Sequence, residues 1–180
     1  LQRMLQQLIV LARVDSKSDT VDLDQRVDLS RLAADVLAEQ APEALNRNID
    51  IVLEAPDDPV NVTGNPLLIK EIIANLVDNA IAHSADGDCV TVRAIAEAAT
   101  GTIAVEDEGP GIPEEERSRV FQRFYQIARG NAKPGSGLGL AIARRIADLH
   151  GGLITLSDTA SGRAAARRAR RLPRWRPRCP

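Results

Sequence analysis

Aromatic residues, cysteines and histidines are scarce in this sequence of 180 residues. It has one Trp, one Tyr, two Phe, two Cys and two His. Because hydrophobic residues still make up 44% of the chain, the core must be built mainly from Leu, Ile, Val and Ala. Cys89 and Cys179 lie far apart, without the spacing of a metal site or a disulfide framework. This cysteine usage indicates a reducing compartment.

Long apolar runs are also absent, and acidic and basic residues are unevenly distributed. No stretch of about 18 apolar residues occurs, which excludes a membrane-spanning helix in this sequence. The chain begins at Leu1 without a methionine, so we expect it to be a piece of a longer protein. Residues 163–180 hold eight arginines and no acid, leaving residues 1–162 with a net charge of −10. An acidic body of this kind argues against a nucleic-acid-binding surface.

Composition divides the chain into four segments. In residues 1–15 apolar side chains recur near heptad spacing. This spacing predicts a helix that packs on a partner helix. Residues 16–27 are polar and unpatterned, which predicts a linker. Residues 28–162 carry the periodic patterns of a folded domain. Residues 163–180 lack an alternating apolar run and predict a solvated or disordered basic tail, for which nucleic-acid or anionic-membrane binding is the alternative.

The domain segment predicts an α+β fold, with helices on one face of a mixed, mostly antiparallel sheet. Asp28 or Ser30 is a suitable cap for the first helix, which Pro42 could kink, and Gly101 is expected to join the two strands of a hairpin. The predicted helices cover residues 29–47, 66–84, a short segment from 113 and residues 141–150, and the predicted strands cover residues 49–53, 60–62, 89–96, 102–106 and 153–156.

The second of these helices has a polar edge. Asn65 is a suitable N-cap, and Pro66 occupies the first turn, where a missing N–H costs nothing. Glu71, Asn75 and Asn79 are spaced four apart, so each lies about 40° around the helix from the last. One interpretation is a hydrogen-bond ladder, because buried amides need partners. The other is a set of oxygen ligands for a hard cation such as Mg²⁺.

Two glycine-rich motifs suggest a binding site. Gly135-X-Gly137-X-Gly139 precedes a helix, where backbone N–H groups can face phosphates, although three glycines also form plain tight turns. In the second motif, Asp107 precedes Gly109 and Gly111. The Asp107 carboxylate could accept a hydrogen bond from an exocyclic amine, or the motif could be a plain turn after a strand. Neither a Walker motif nor the setting of a dinucleotide fingerprint is present.

Three of the four aromatic residues lie within residues 121–125, before a segment without periodic pattern. Single aromatic residues are usually part of the core, but their position here favours an anchor for a mobile lid. Arg129 and Lys133 in that segment could meet phosphates or could be ordinary solvated charges.

Taken in order, the motifs resemble the catalytic, ATP-binding domain of bacterial sensor histidine kinases, whose superfamily includes DNA gyrase. Residues 75–80, Asn-Leu-Val-Asp-Asn-Ala, resemble its N box, and residues 107–113, Asp-Glu-Gly-Pro-Gly-Ile-Pro, its first glycine box. Residues 120–125, Val-Phe-Gln-Arg-Phe-Tyr, resemble the F box, and residues 135–140, Gly-Ser-Gly-Leu-Gly-Leu, the second glycine box. The resemblance covers residues 71–152 and implies a two-layer Bergerat-type fold.

The resemblance also implies roles for residues, with ATP and Mg²⁺ as cofactors. Asp107 would bind the adenine amine. Glu71, Asn75 and Asn79 would hold Mg²⁺ and phosphate oxygens, with Glu71 and Asn75 as the catalytic candidates. The remaining nucleotide contacts would come from Gly109, Gly111, Phe124, Arg129, Lys133, Gly135, Gly137, Leu138 and Gly139.

The implied activity is transfer of the γ-phosphate of ATP to a histidine on a separate dimeric hairpin domain, and then to a response-regulator receiver domain. Residues 1–15 would end the second hairpin helix of a homodimeric parent protein, anchored in the inner membrane with this part in the cytoplasm. The acceptor histidine is absent, because His83 and His150 fall within nucleotide-binding boxes and are expected to be structural.

Two departures from the family pattern keep other functions open. Ala82 stands where many members have a basic residue, and the last strand of the family is not recognisable. The alternatives are a nucleotide-binding module without kinase activity, acting as a scaffold or a phosphatase-biased sensor, and a serine kinase that acts as an anti-sigma factor.

Overall fold

The computed structural model describes Gln7, Ile9, residues 21–97, 100–127 and 135–158, and the backbone of residues 167–173. The helices are α1 (Leu29–Asn46), α2 (Pro66–His83) and α3 (Gly139–Leu149), with one 3₁₀ helix at Glu114–Glu116. The strands are β1 (Arg26–Asp28), β2 (Asp50–Glu54), β3 (Asn61–Thr63), β4 (Cys89–Ala96), β5 (Thr100–Glu106), β6 (Leu153–Ser157) and β7 (Arg167–Pro173).

The main sheet has five strands in the order β2-β4-β5-β7-β6. Only β2 and β4 pair in parallel, and the other three pairs are antiparallel. A second, small sheet pairs β1 with β3. The predicted α+β fold with a mixed, mostly antiparallel sheet is confirmed.

The core lies between the helices and one face of the sheet. In β4, Val90, Val92 and Ala94 are buried, whereas the alternating residues from Cys89 to Arg93 are only half-buried, which is the pattern of a strand covered fully on one face. The largest fully buried side chains are aliphatic, as the scarcity of aromatic residues predicts. The aromatic rings that are described pack at the edge of this core or remain exposed.

Helix α2 begins as its sequence predicts. The Asn65 side chain accepts a hydrogen bond from the Leu68 N–H at 3.1 Å, and Pro66 occupies the first turn. At the other end the Arg47 guanidinium donates to the carbonyl groups of Ile81 and Ala82. Both ends of the helix that carries the polar edge are therefore held by side chains.

The cap of α1 is also settled by the structure. The Asp28 carboxylate accepts from the Ser30 N–H at 3.0 Å, so Asp28 and not Ser30 is the N-cap. Pro42 lies inside α1, and the helix continues to Asn46.

Three predictions of organisation are wrong. The linker prediction fails at Arg26 and Val27, which belong to β1 and pair with β3. Gly101 does not join the hairpin but lies inside β5, paired with Ala96. A Cβ on Gly101 would point toward β3 and lie 2.5 Å from the Val62 side chain. Glycine is needed at this position for close packing, which residue type alone cannot distinguish from a turn.

The prediction of a disordered basic tail from residue 163 is wrong for Arg167–Pro173, which form β7 between β5 and β6. In the register of the sheet, Arg170 stands opposite both Ile103 and Ile154. The strand is held through backbone groups that almost any residue supplies, so an apolar pattern is not a precondition for it. Residues 163–166 and 174–180 lie outside the described residues.

Candidate functional site

The polar edge of α2 contains a hydrogen-bonded pair. Asn75 is 4% exposed, although its side chain is an amide. Its Nδ2 donates to the Glu71 backbone carbonyl at 2.8 Å and to the Glu71 carboxylate at 3.1 Å. Asn79 lies one turn further on and is half-buried. The hydrogen bonds between Asn75 and Glu71 thus lie within α2, and the Asn75 oxygen faces away from that pair.

The Asn75 oxygen meets a residue that the sequence did not bring into consideration. Gln7 is 7% exposed, and its Nε2 donates to Asn75 Oδ1 at 3.1 Å. The Gln7 Oε1 accepts from the Ser136 hydroxyl at 2.8 Å. These contacts join positions 68 and 129 residues apart in sequence. Of these three residues, only Asn75 was predicted from the sequence to have a role.

The glycines after Ser136 bring the backbone close to its neighbours. A Cβ on Gly139, at the start of α3, would lie 3.0 Å from Asn75 Oδ1. Gly137 has a φ of +66°, and a Cβ there would lie 2.6 Å from the Phe124 backbone carbon. Among the described residues, none has an atom within 4 Å of a Cβ placed on Gly135. Gly137 and Gly139 therefore permit close approaches that a larger residue would block.

Leu138 and Phe124 occupy opposite environments beside this loop. The Leu138 side chain is fully buried in the core, and its N–H donates to Ser136 Oγ at 3.2 Å. Phe124 is 60% exposed, has a φ of +63°, and donates its N–H to the Gly137 carbonyl at 2.9 Å. A positive φ in a bulky aromatic residue is unusual and often marks a functional position.

Two aromatic residues near Phe124, Phe121 and Tyr125, pack against the core, and most of the lid that they are predicted to anchor lies outside the described residues. Tyr125 donates its hydroxyl to the Glu116 carboxylate, and the Arg119 guanidinium lies 4.6 Å from the centre of its ring. The hydrogen bond to Glu116, with burial second, raises the pKa of Tyr125. The Arg144 guanidinium lies 5.4 Å from the centre of the Phe121 ring, which connects the anchor to α3. Arg129 and Lys133 lie outside the described residues.

A second cluster forms where β5 ends. Asp107 is 7% exposed, and its Oδ1 accepts from the Gly109 N–H at 3.1 Å. A Cβ on Gly109 would lie 2.6 Å from the His83 backbone carbonyl oxygen, at the end of α2. Gly111 is buried, with a φ of +67°. Asp107 is thus a buried carboxylate that is held by the backbone of a glycine-containing turn.

The two histidines differ in burial. His150 is 7% exposed, and its Nε2 accepts from the Asn65 N–H at 3.0 Å. Its Nδ1 lies 2.8 Å from the Ile146 carbonyl, so the ring carries its proton on Nδ1 and donates there. This ring connects the end of α3 to the cap of α2, as a structural histidine does. His83 is exposed at the end of α2.

Both clusters lie along helix α2. The Asn75 end comprises Gln7, Glu71, Asn75, Ser136 and Gly139. The Asp107 end comprises Asp107 and Gly109, against the last turn of α2. Within the described residues, no three His, Cys, Asp or Glu side chains are grouped so as to hold a metal. In that same part of the chain, no helix is long and apolar enough to cross a membrane.

This fold and this arrangement of motifs define an ATP-binding domain. The pattern of the histidine kinase-, DNA gyrase B- and HSP90-like ATPase family matches residues 64–173, and the chain belongs to this family. It is similar to the sensor protein kinase PmrB of Pseudomonas aeruginosa, with 36% identity over 160 residues, 89% of this chain and 33% of that protein. It is also similar to the sensor protein QseC of Salmonella typhimurium, with 37% identity over 160 residues, 89% of this chain and 34% of that protein.

Solved structures give the same result. The ATP-binding domain of PrrB from Mycobacterium tuberculosis aligns with a TM-score of 0.68 and 30% identity, covering 86% of this chain and 100% of that chain. The mycobacterial sensor histidine kinase MprB aligns with a TM-score of 0.71 and 29% identity, covering 84% and 97%. The domain is homologous to the catalytic domains of two-component sensor kinases. The chain spans about a third of the length of the curated relatives named here.

Proposed function

We propose that this chain binds ATP with Mg²⁺ and positions the γ-phosphate for transfer to a histidine on a separate hairpin domain. The observation that carries the proposal is that two polar clusters, the Asp107 end and the Asn75 end, lie along one helix, α2. Asp107 offers a buried carboxylate beside bare backbone, and Asn75 offers a buried amide beside the glycine-rich start of α3. One end is suited to a base with an amine, and the other to phosphates.

At the Asp107 end, the chain would recognise adenine by accepting a hydrogen bond from its amine. The Gly109 N–H holds the carboxylate in place, and the lack of a side chain at Gly109 lets this turn pack against the His83 carbonyl at the end of α2. Because the carboxylate is buried, a base that donates a hydrogen bond to it would be preferred to one that places an acceptor against it.

At the Asn75 end, the residues present fit a metal–phosphate group. Glu71 and Asn79 would supply the oxygen ligands that Mg²⁺ prefers, and the missing Cβ of Gly139 lets the start of α3 approach Asn75 Oδ1 closely. The ion would offset the negative charge of the phosphates. Backbone N–H groups at the start of α3, with the helix dipole, would orient the terminal phosphate.

The reaction requires little covalent chemistry from this domain. An imidazole nitrogen of the acceptor histidine would form the new bond to the γ-phosphorus, while the bond to the bridging oxygen of ADP breaks. The residues of this chain hold the phosphate in line and exclude water, so that positioning supplies most of the acceleration. The phosphate would then pass to a response-regulator receiver domain, and the parent protein would be a homodimer anchored in the inner membrane.

Phosphotransfer in trans tests the proposal. The purified chain would be mixed with labelled ATP, Mg²⁺ and a histidine-containing hairpin domain from a related kinase. We expect label on the hairpin with wild type and with the exposed variant Asp57→Asn. Asp107→Asn should reduce labelling at least tenfold, because the base loses a charge-assisted partner. Nucleotide binding without labelling of any hairpin would favour the non-kinase module instead.

A further inference from the structure

The burial of Gln7, a polar residue, is not expected from the sequence. It lies in a segment whose apolar spacing predicts packing on a partner helix, yet it is 7% exposed within this domain. Its side chain uses both of its polar ends, one on Asn75 and one on Ser136. A buried carboxamide is stable only when it is paired in this way. The neighbouring Ile9 is 50% exposed, so Gln7 is the buried one of the two described residues in this segment.

The two partners of Gln7 come from the motifs assigned to phosphate and metal binding. Asn75 directs its amide nitrogen to Glu71 and its oxygen to Gln7. The Ser136 hydroxyl donates to Gln7 and accepts from the Leu138 N–H. The polar groups of Asn75 and Ser136 therefore already have partners within the protein. A phosphate or a metal that approached the Asn75 oxygen would have to displace the Gln7 amide.

We propose that Gln7 is an intramolecular latch, which competes with the phosphate end of a bound nucleotide for Asn75 and Ser136. The inference rests on the proposed function. In the latched state the Gln7 amide holds the Asn75 oxygen and restrains the glycine-rich loop through Ser136. Nucleotide binding breaks both hydrogen bonds and releases the Gln7 side chain. By linkage, whatever holds Gln7 in its latched position weakens nucleotide binding by the same factor.

A latch differs from a positioning residue in the sign of its effect. If Gln7 only oriented Asn75 for catalysis, its removal would weaken nucleotide binding. If Gln7 competes with the nucleotide, its removal strengthens binding, because a larger fraction of the protein is then in the binding-competent state. The direction of the change in Kd therefore distinguishes the two roles.

The test is the Kd of the full chain for a non-hydrolysable ATP analogue with Mg²⁺, measured by calorimetry for wild type, Gln7→Ala and the control Ile9→Ala. We expect Gln7→Ala to lower the Kd roughly five- to twentyfold, the effect of losing one or two hydrogen bonds that hold the latched state. Ile9→Ala should leave the Kd unchanged. An unchanged or raised Kd in Gln7→Ala overturns the latch while ATP binding stands. Failure of every protein to bind overturns both proposals.

A second measurement uses only the wild-type chain and so does not depend on a variant that must fold. Hydrogen exchange would be followed by mass spectrometry in the peptide that contains Gln7, with and without the ATP analogue. The latch predicts faster exchange in that peptide when nucleotide is present, since both of the side-chain bonds of Gln7 are lost. Slower or unchanged exchange, under conditions where calorimetry shows saturation, overturns the proposal.

Discussion

The Asp107 end and the Asn75 end of the site are constructed differently. At the Asp107 end the contacts are short in sequence or involve backbone, such as the Gly109 N–H on Asp107 and the His83 carbonyl against Gly109. At the Asn75 end, besides the bonds of Asn75 to Glu71 within α2, two contacts join side chains of remote segments, 68 and 129 residues apart. The first arrangement is rigid wherever the fold forms. The second can open without unfolding, because only side-chain hydrogen bonds must break.

The largest effect should follow from adding one carbon atom at the Asp107 end. In Gly109→Ala the new Cβ would lie 2.6 Å from the His83 carbonyl oxygen, a backbone atom that cannot move aside. We expect a loss of about 2–3 kcal/mol in the free energy of unfolding. Chemical denaturation would measure it, with Gly135→Ala as the control because no described residue lies within 4 Å of a Cβ at that position. Equal stability of the two variants would contradict the rigidity of this end.

The matching change at the Asn75 end should cost less. Asn75→Ala leaves the Gln7 amide without its acceptor and removes the bonds to Glu71. We expect about 1–2 kcal/mol of destabilisation by denaturation. A double-mutant cycle with Gln7→Ala should give a coupling of about 0.5–1.5 kcal/mol. Strict additivity would mean that the two side chains do not interact in solution.

A third variant separates stability from binding. In Gly139→Ala the new Cβ would lie 3.0 Å from Asn75 Oδ1, a side-chain atom that can shift. Alanine is also favoured over glycine within a helix by about 0.5–1 kcal/mol. We therefore expect a stability within about 1 kcal/mol of wild type but a roughly tenfold weaker affinity for an ATP analogue by calorimetry. Unchanged affinity would place the phosphates away from the start of α3.

The smallest effect concerns the aromatic anchor beside the Asn75 end. Tyr125 is the only tyrosine, so absorbance of the tyrosinate reports it alone. Because its neutral hydroxyl donates to Glu116, its pKa is raised above 10, and the titration midpoint should lie above that of a model peptide. The stabilisation is present below about pH 10 and is lost as the pH rises through the raised pKa. Glu116→Gln should lower the midpoint, and an unchanged midpoint would contradict the contact.

The comparison also explains what could be predicted from sequence. The cap at Asn65 and the α2 helix depend on neighbours in the chain, and both were predictable. Gln7 could not be found, since no local pattern records a contact 129 residues away. Strand β7 was missed for a related reason. Its arginine-rich sequence has no strand pattern, and its place follows from the open backbone groups of β5 and β6.

The central claim is that the Asp107 and Asn75 ends together form one site for ATP and Mg²⁺. Calorimetric titration of the full chain with a non-hydrolysable ATP analogue, with and without Mg²⁺, tests it most directly. We predict saturable binding that Mg²⁺ strengthens and that Asp107→Asn weakens at least tenfold, whereas Asp57→Asn does not change it. A folded wild-type chain that shows no saturable binding, or equal binding by Asp107→Asn, would contradict the claim.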